Sequence, residues 1–213
     1  VDECCEVREI PREQRRVLHV VLWINVAMFL VESVAGLLGN STALLADSVD
    51  MLGDAIVYGF SLYVISRGLL WQARAALLKG AIMAAFGIGV LVQAVVKIAR
   101  GLAPTVEVMG AVGLLALAAN VLCLVLLWRR RGDDINMRSA WVCSRNDVTG
   151  NAGVLVAAGA VALTGSPWPD IVIGLLVAWM FGQSAARVIR DASRAVALSR
   201  QDRGDGIERA GSA

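Results

Sequence analysis

Residues 41–67 read Ser41-TALLADSVDMLGDAIVYGFSLYVIS-Arg67, a stretch with the length and apolarity of a membrane span that nevertheless carries Asp47, Asp50 and Asp54. A helix turns by 100° per residue, so the three acids fall within a sector of roughly 60° and share one face. Each ionised Asp at mid-bilayer costs roughly 2.5–3.5 kcal/mol on an insertion scale, or about 8–10 kcal/mol for three. A face that acidic needs a cation, protons or a wet cavity opposite it. The pattern points to an ion pathway, with a metal-free proton relay as the alternative reading.

The rest of the chain supplies the membrane context. Of its 213 residues 57% are hydrophobic and only 18% charged, and the mean hydropathy is +0.66. Such a composition describes an all-α, polytopic membrane protein. Apolar runs long enough for ~30 Å of hydrocarbon recur six times, near residues 17–39, 42–66, 77–99, 108–128, 139–164 and 170–190. The expected organisation is an N-terminal segment 1–16, a six-helix transmembrane domain 17–190 and a short polar tail 191–213. That tail is too short for a second folded domain, which needs at least ~40 residues. No signal peptide is expected, because residues 1–16 are polar.

Basic residues alternate between the connecting segments. Arg8, Arg12, Arg15 and Arg16 precede the first span, Arg67, Arg74 and Lys79 follow the second, Arg129, Arg130, Arg131 and Arg138 follow the fourth, and further Arg lie from Arg187 onward. The opposite connections hold only Lys97 and Arg100. The positive-inside rule then places both termini in the cytoplasm. The Arg-, Ala- and Val-rich usage is that of a high-GC bacterium, so the expected membrane is the bacterial inner membrane. Trp128, Trp141 and Trp168 fall near span ends, where interfacial anchors belong.

Cysteine usage is not that of a disulfide framework. Cys4 and Cys5 are adjacent, and Cys123 and Cys143 lie inside apolar runs, so all four are read as thiols or ligands. Asp50 lies about nine residues, or ~14 Å, into the second span, and Cys143 and Asp147 lie at a similar depth in the fifth. Asp50 and Asp54 form an i,i+4 pair, as do Cys143 and Asp147, so each pair presents two donors on one face. Two antiparallel helices carrying these pairs make a four-donor O/O/S/O site suited to a tetrahedral metal ion.

Two segments carry a family resemblance. Asn40-STALLADSVDMLGDA resembles the second-span signature of the cation diffusion facilitators, Ser-x-Ala-Leu-Leu-x-Asp-x-x-(His/Asp)-x-x-x-Asp, and Ala140-WVCSRNDVTGNAGVLVAA resembles their fifth span, where His-x-x-x-Asp is usual. The six-span layout extends the resemblance over residues ~16–190. It implies export of divalent metal, commonly Zn²⁺, in exchange for protons. Asp50, Asp54 and Asp147 take ligand positions, and Cys143 stands where His is expected. It also implies a homodimer. A thiolate in place of imidazole favours softer ions. The cytoplasmic metal-binding domain usual after the sixth span is expected to be missing.

Other residues read less sharply. Asp47 is assigned to the second shell or proton path. Cys4 and Cys5, in Asp2-ECCE, are candidates for metal pick-up at the cytoplasmic mouth, against incidental thiols on a flexible tail. Glu32 is intramembrane and able to pair or protonate. Arg145, off the ligand face, is expected to snorkel or to pair with an acid such as Asp47. Asn25 and Asn120 faintly echo an inverted repeat, or serve as interhelical glue.

The expected function is a secondary transporter that exports a divalent transition metal, Zn²⁺ first and Cd²⁺ or Co²⁺ next, by proton antiport. Its partners are metal ions, protons and the lipid bilayer, with no nucleic acid. No catalytic residues or cofactor are expected, because neither a nucleophile–base pair nor a phosphate-binding Gly loop is present. The rival is a non-transporting, metal-responsive membrane sensor or partner subunit.

Overall fold

The computed structural model describes residues 12–63, 69–130 and 135–180, together with 182, 183, 186, 189, 190 and 193. Cys4, Cys5 and most of the tail fall outside the described residues, and so does the side chain of Cys143. Within them the chain is all-helical: α1 Arg12–Leu38, α2 Thr42–Tyr63, α3 Leu69–Arg100, α4 Val106–Trp128, α5 Ile135–Thr164 and a shorter apolar α6, Trp168–Met180. Four helices hold segments long and apolar enough to cross a membrane; α2 carries its three acids instead. Helices α3 and α5 begin at Leu69 and Ile135, ahead of the apolar runs that start near 77 and 139. Hydropathy marks only the hydrocarbon slab, whereas i→i−4 hydrogen bonding continues through polar interfacial residues.

Helix α2 lies at the centre. It packs along α1 and also against α3 and α5, while α4 packs along α5 and touches α1. The turn into α2 is tight and fully bonded. Ser41 N donates to Gly36 O at 2.9 Å and Asn40 N to Leu37 O at 3.4 Å, the 6→1 and 5→2 bonds of a Schellman end. Asn40 takes the left-handed position, φ 51°, which Asn tolerates better than most side chains. Ser41 then caps α2, its Oγ accepting from Leu44 N at 3.1 Å.

A buried ion pair closes this end. Asp170, at the start of α6, accepts from Ser41 Oγ (2.6 Å), Thr42 N (2.8 Å), Ala43 N (3.2 Å) and Lys97 Nζ (2.5 Å). A carboxylate at the N-terminus of α2 meets free amides and the positive end of the helix dipole. Lys97 also donates to Asn40 O at 2.7 Å, and neither charged side chain is exposed. The basic residue that sequence alone places in a loop is therefore the pin joining α2, α3 and α6. At Gly174 on α6 an added Cβ would meet the Thr42 carbonyl carbon at 2.7 Å, so only glycine allows α6 this close to α2.

Apolar clusters lie on either side of the acidic stretch of α2. Leu18, Tyr58, Leu62, Cys123 and Leu127 pack toward its C-terminal end, and Ala43, Leu44, Met109 and Val154 toward its N-terminal end. Outward-facing side chains are also apolar, among them Trp23, Leu114, Leu163 and Trp179. Water would penalise such a surface, but lipid tails match it. Trp128 and Trp141 meet edge-to-face at 5.8 Å, and Arg145 lies over the Trp141 ring at 5.5 Å from its centroid. Arg145 is exposed, so the expected pairing with Asp47 gives way to a cation–π contact. The Asn side chains are not the expected interhelical glue: Asn25 Nδ2 bonds Val21 O of its own helix, and neither side-chain atom of Asn120 has a partner.

Lys97→Met removes the cation from the Asp170 pair and leaves a buried carboxylate without its counter-charge. A loss of about 3–5 kcal/mol is expected, read as a lowered thermal unfolding temperature of the detergent-solubilised protein. Adding Asp170→Asn to Lys97→Met should recover part of it. Stability unchanged in Lys97→Met would remove the clamp from its structural role.

Candidate metal centre

Aspartates at positions 50 and 54 of α2 lie one turn apart, and Asp147 of α5 faces them. One carboxylate oxygen from each lies within 4.8 Å of the other two. Asp54 and Asp147 are buried and Asp50 half-buried. At that spacing, two ionised carboxylates repel by roughly 3.5 kcal/mol per pair at an effective dielectric of 20. The arrangement is stable only with positive charge among the oxygens, which protons or a divalent cation supply equally well.

Neighbouring side chains orient the acids. Tyr58 Oη donates to Asp54 Oδ2 at 2.8 Å from one turn further along α2. Asn151, one turn beyond Asp147, donates through Nδ2 to Asp147 O at 3.0 Å and, at the limit of a hydrogen bond, to Asp47 Oδ1 at 3.5 Å. Sequence reasoning missed both residues. Each stands at i+4 from a candidate ligand, which was the available signal. Asp47 is buried and lines the same cavity of about 710 Å³ as Asp50, Asp54 and Asp147, with Met83, Asn146 and Ile173 also on its walls.

The fourth expected donor, Cys143, lies one turn before Asp147 on α5, and its side chain is among those not described. Cys123 is buried in the apolar cluster with Tyr58 and Leu127. Sequence spacing alone had not put it near the acids, yet it shares this cluster with Tyr58, the side chain that bonds Asp54.

Comparisons with known proteins bear on the family. The family model of the cation efflux transmembrane domain matches residues 18–69 and 71–196. Among curated relatives, the metal cation efflux system protein CzcD of Cupriavidus metallidurans is 23% identical over 181 residues, covering 78% of this chain and 57% of the relative. The zinc transporter ZitB of Escherichia coli is 26% identical over 190 residues, covering 83% and 60%. A cadmium, cobalt and zinc/H⁺-K⁺ antiporter of Bacillus subtilis is 22% identical over 192 residues, covering 83% and 61%. The chain thus spans about six-tenths of the length of these relatives. A polytopic helical fold, acids converging between α2 and α5, and a family match along most of its length lead to one conclusion: this chain belongs to the cation efflux family, the cation diffusion facilitators.

Proposed function

We propose that the chain is a secondary transporter moving a divalent transition-metal cation out of the cytoplasm in exchange for protons. Zn²⁺ is the first candidate substrate and Cd²⁺ or Co²⁺ the next. The observation that carries this reading is the convergence of Asp50, Asp54 and Asp147 within 4.8 Å in a cavity among apolar helices. Relatives named for zinc, cadmium and cobalt transport support the substrate class. The name of the Bacillus subtilis relative supports exchange for protons.

In this reading Asp50, Asp54, Asp147 and Cys143 are the metal donors. Carboxylates and thiolate bind metal only when deprotonated, so protons and metal compete for one site. Metal from the cytoplasm displaces protons in one orientation, and protons from outside displace metal in the other. Rocking of the helices around the α2–α5 site alternates its access. Both termini are assigned to the cytoplasmic face on the Arg distribution. Assembly as a homodimer follows from family membership and belongs to the same proposal.

Asp54→Ala and Asp147→Ala each remove a donor and are expected to lower metal uptake into everted vesicles by about 100-fold while the protein stays in the membrane. Tyr58→Phe leaves the donors in place but frees Asp54, and roughly tenfold weaker binding is expected. Near-normal flux in both aspartate variants sinks the site.

Uptake into everted vesicles should require an acid interior and stop when an ionophore collapses the pH gradient. Transport indifferent to the gradient would make the protein a channel or uniporter.

Position 143 should set metal preference. Cys143→His is expected to keep Zn²⁺ transport and lose relative preference for Cd²⁺, and Cys143→Asp to shift preference toward Mn²⁺. Bound Zn²⁺ or Cd²⁺ should slow alkylation of Cys143. An unchanged metal profile in Cys143→Ser, with no protection by metal, would leave Cys143 a packing residue.

A further inference from the structure

Helix α3 lies antiparallel along α2, and its contacts set a register. Thr42 Oγ1 donates to Gln93 Oε1 at 2.8 Å. Next along α2, Leu45, Ala46 and Val49 share an apolar cluster with Val90. Further still, Met83 lies against Gly53: a Cβ added there would stand 2.9 Å from Met83 Cε and 3.3 Å from its Sδ. The paired positions advance on α2 as they retreat on α3, so one register runs through all three contacts. Gly53 falls between Asp50 and Asp54, which brings Met83 to α2 at the height of the three carboxylates.

Met83 is 6% exposed and lines the same cavity as Asp50, Asp54 and Asp147. Among the described residues on that wall the other sulfur side chain is Met180, which is 67% exposed at the end of α6. Glycine at position 53 matters here. Without a Cβ on α2, the thioether rests against the helix backbone instead of one side-chain layer away. Leucine would fill nearly the same space. It would not supply a polarizable sulfur. Methionine is also unbranched, with three rotatable side-chain bonds, so its sulfur can swing from the wall toward an ion while α3 stays in place.

We propose that Met83 is a further metal donor, its thioether sulfur joining the carboxylates of α2 and α5 when a soft divalent cation such as Cd²⁺ occupies the cavity. This inference rests on the metal reading of that cavity and narrows its substrate class. Carboxylate oxygens alone are hard donors that suit Mn²⁺ or Mg²⁺, whereas sulfur draws selection toward softer ions. A thioether is neutral and carries no exchangeable proton. It therefore adds preference among metals without adding to the competition between metal and protons. The donor set then spans three helices, with α3 supplying the one member that has no charge to neutralise.

The test uses the full chain with Cd²⁺ and Zn²⁺. Met83 is one of six methionines, so selenomethionine labels it together with five others. In the labelled, Cd²⁺-loaded protein, selenium-edge X-ray absorption should show a selenium–cadmium scattering shell, and Met83→Leu should remove it. In everted vesicles supplied with both ions, Met83→Leu is expected to lower the preference for Cd²⁺ over Zn²⁺ about fivefold. The fall should be the same at each pH, because no proton is lost with the sulfur. Met83→Gln offers a harder amide oxygen at similar length and should shift preference toward Mn²⁺. It serves for both readouts where Met83→Leu does not fold. Absence of the shell from the loaded parent, its persistence in the variant, or an unchanged preference for Cd²⁺ each overturns the inference. Failure of the parent to take up either ion, or undiminished uptake in Asp147→Ala, strikes the metal reading and this inference with it, whereas the three outcomes before it leave that reading standing.

Discussion

A buried carboxylate in a membrane interior must have positive charge against it, and the architecture follows from how each acid meets that demand. Withdrawing an ion from water costs several kcal/mol even after relaxation, and surrounding lipid returns none of it. Five acids lie in the helical interior, Glu32, Asp47, Asp54, Asp147 and Asp170 buried, with half-buried Asp50 beside them. They answer the demand in two different ways.

Asp170 is settled permanently. It receives a hydroxyl, two backbone amides at the head of α2 and the Lys97 ammonium, all from fixed structure. Nothing needs to arrive or leave. This pin, with Gly174 against Thr42, fixes one end of α2 relative to α3 and α6. Further along α2, Tyr58 and Asn151 supply neutral hydrogen bonds to the carboxylates of Asp54 and Asp47. Under the proposed function an exchangeable cation completes these groups, which distinguishes them from the structural ion pair.

The same contrast bears on motion. The proposed alternating access requires the α2–α5 site to open toward each face in turn while the bundle stays whole. A charge-pinned end of α2 gives a fixed point. The lower part of the interface is held by side chains such as Tyr58, Leu62, Cys123 and Leu127, whose nondirectional packing tolerates small shifts.

The sequence by itself determined the features that depend on local spacing. Apolar runs of span length gave the helices, and i,i+4 periodicity put Asp50 with Asp54 on one face, because helical geometry is fixed within a few residues. Tyr58 and Asn151 lay within reach of the same rule and were overlooked. Only the tertiary structure decided which faces meet. Lys97 read as a charge in a connecting segment and Asp170, 73 residues away, drew no reading; they become a clamp only because α3 and α6 converge on the α2 turn. Glu32 was one intramembrane acid without assignment, and only the packing of the helices shows that it is fully buried. Arg145, read as snorkelling or as pairing with an acid such as Asp47, is exposed and lies over the Trp141 ring. Helix crossings are set by side-chain packing summed over whole interfaces, with no short-range signature in the chain.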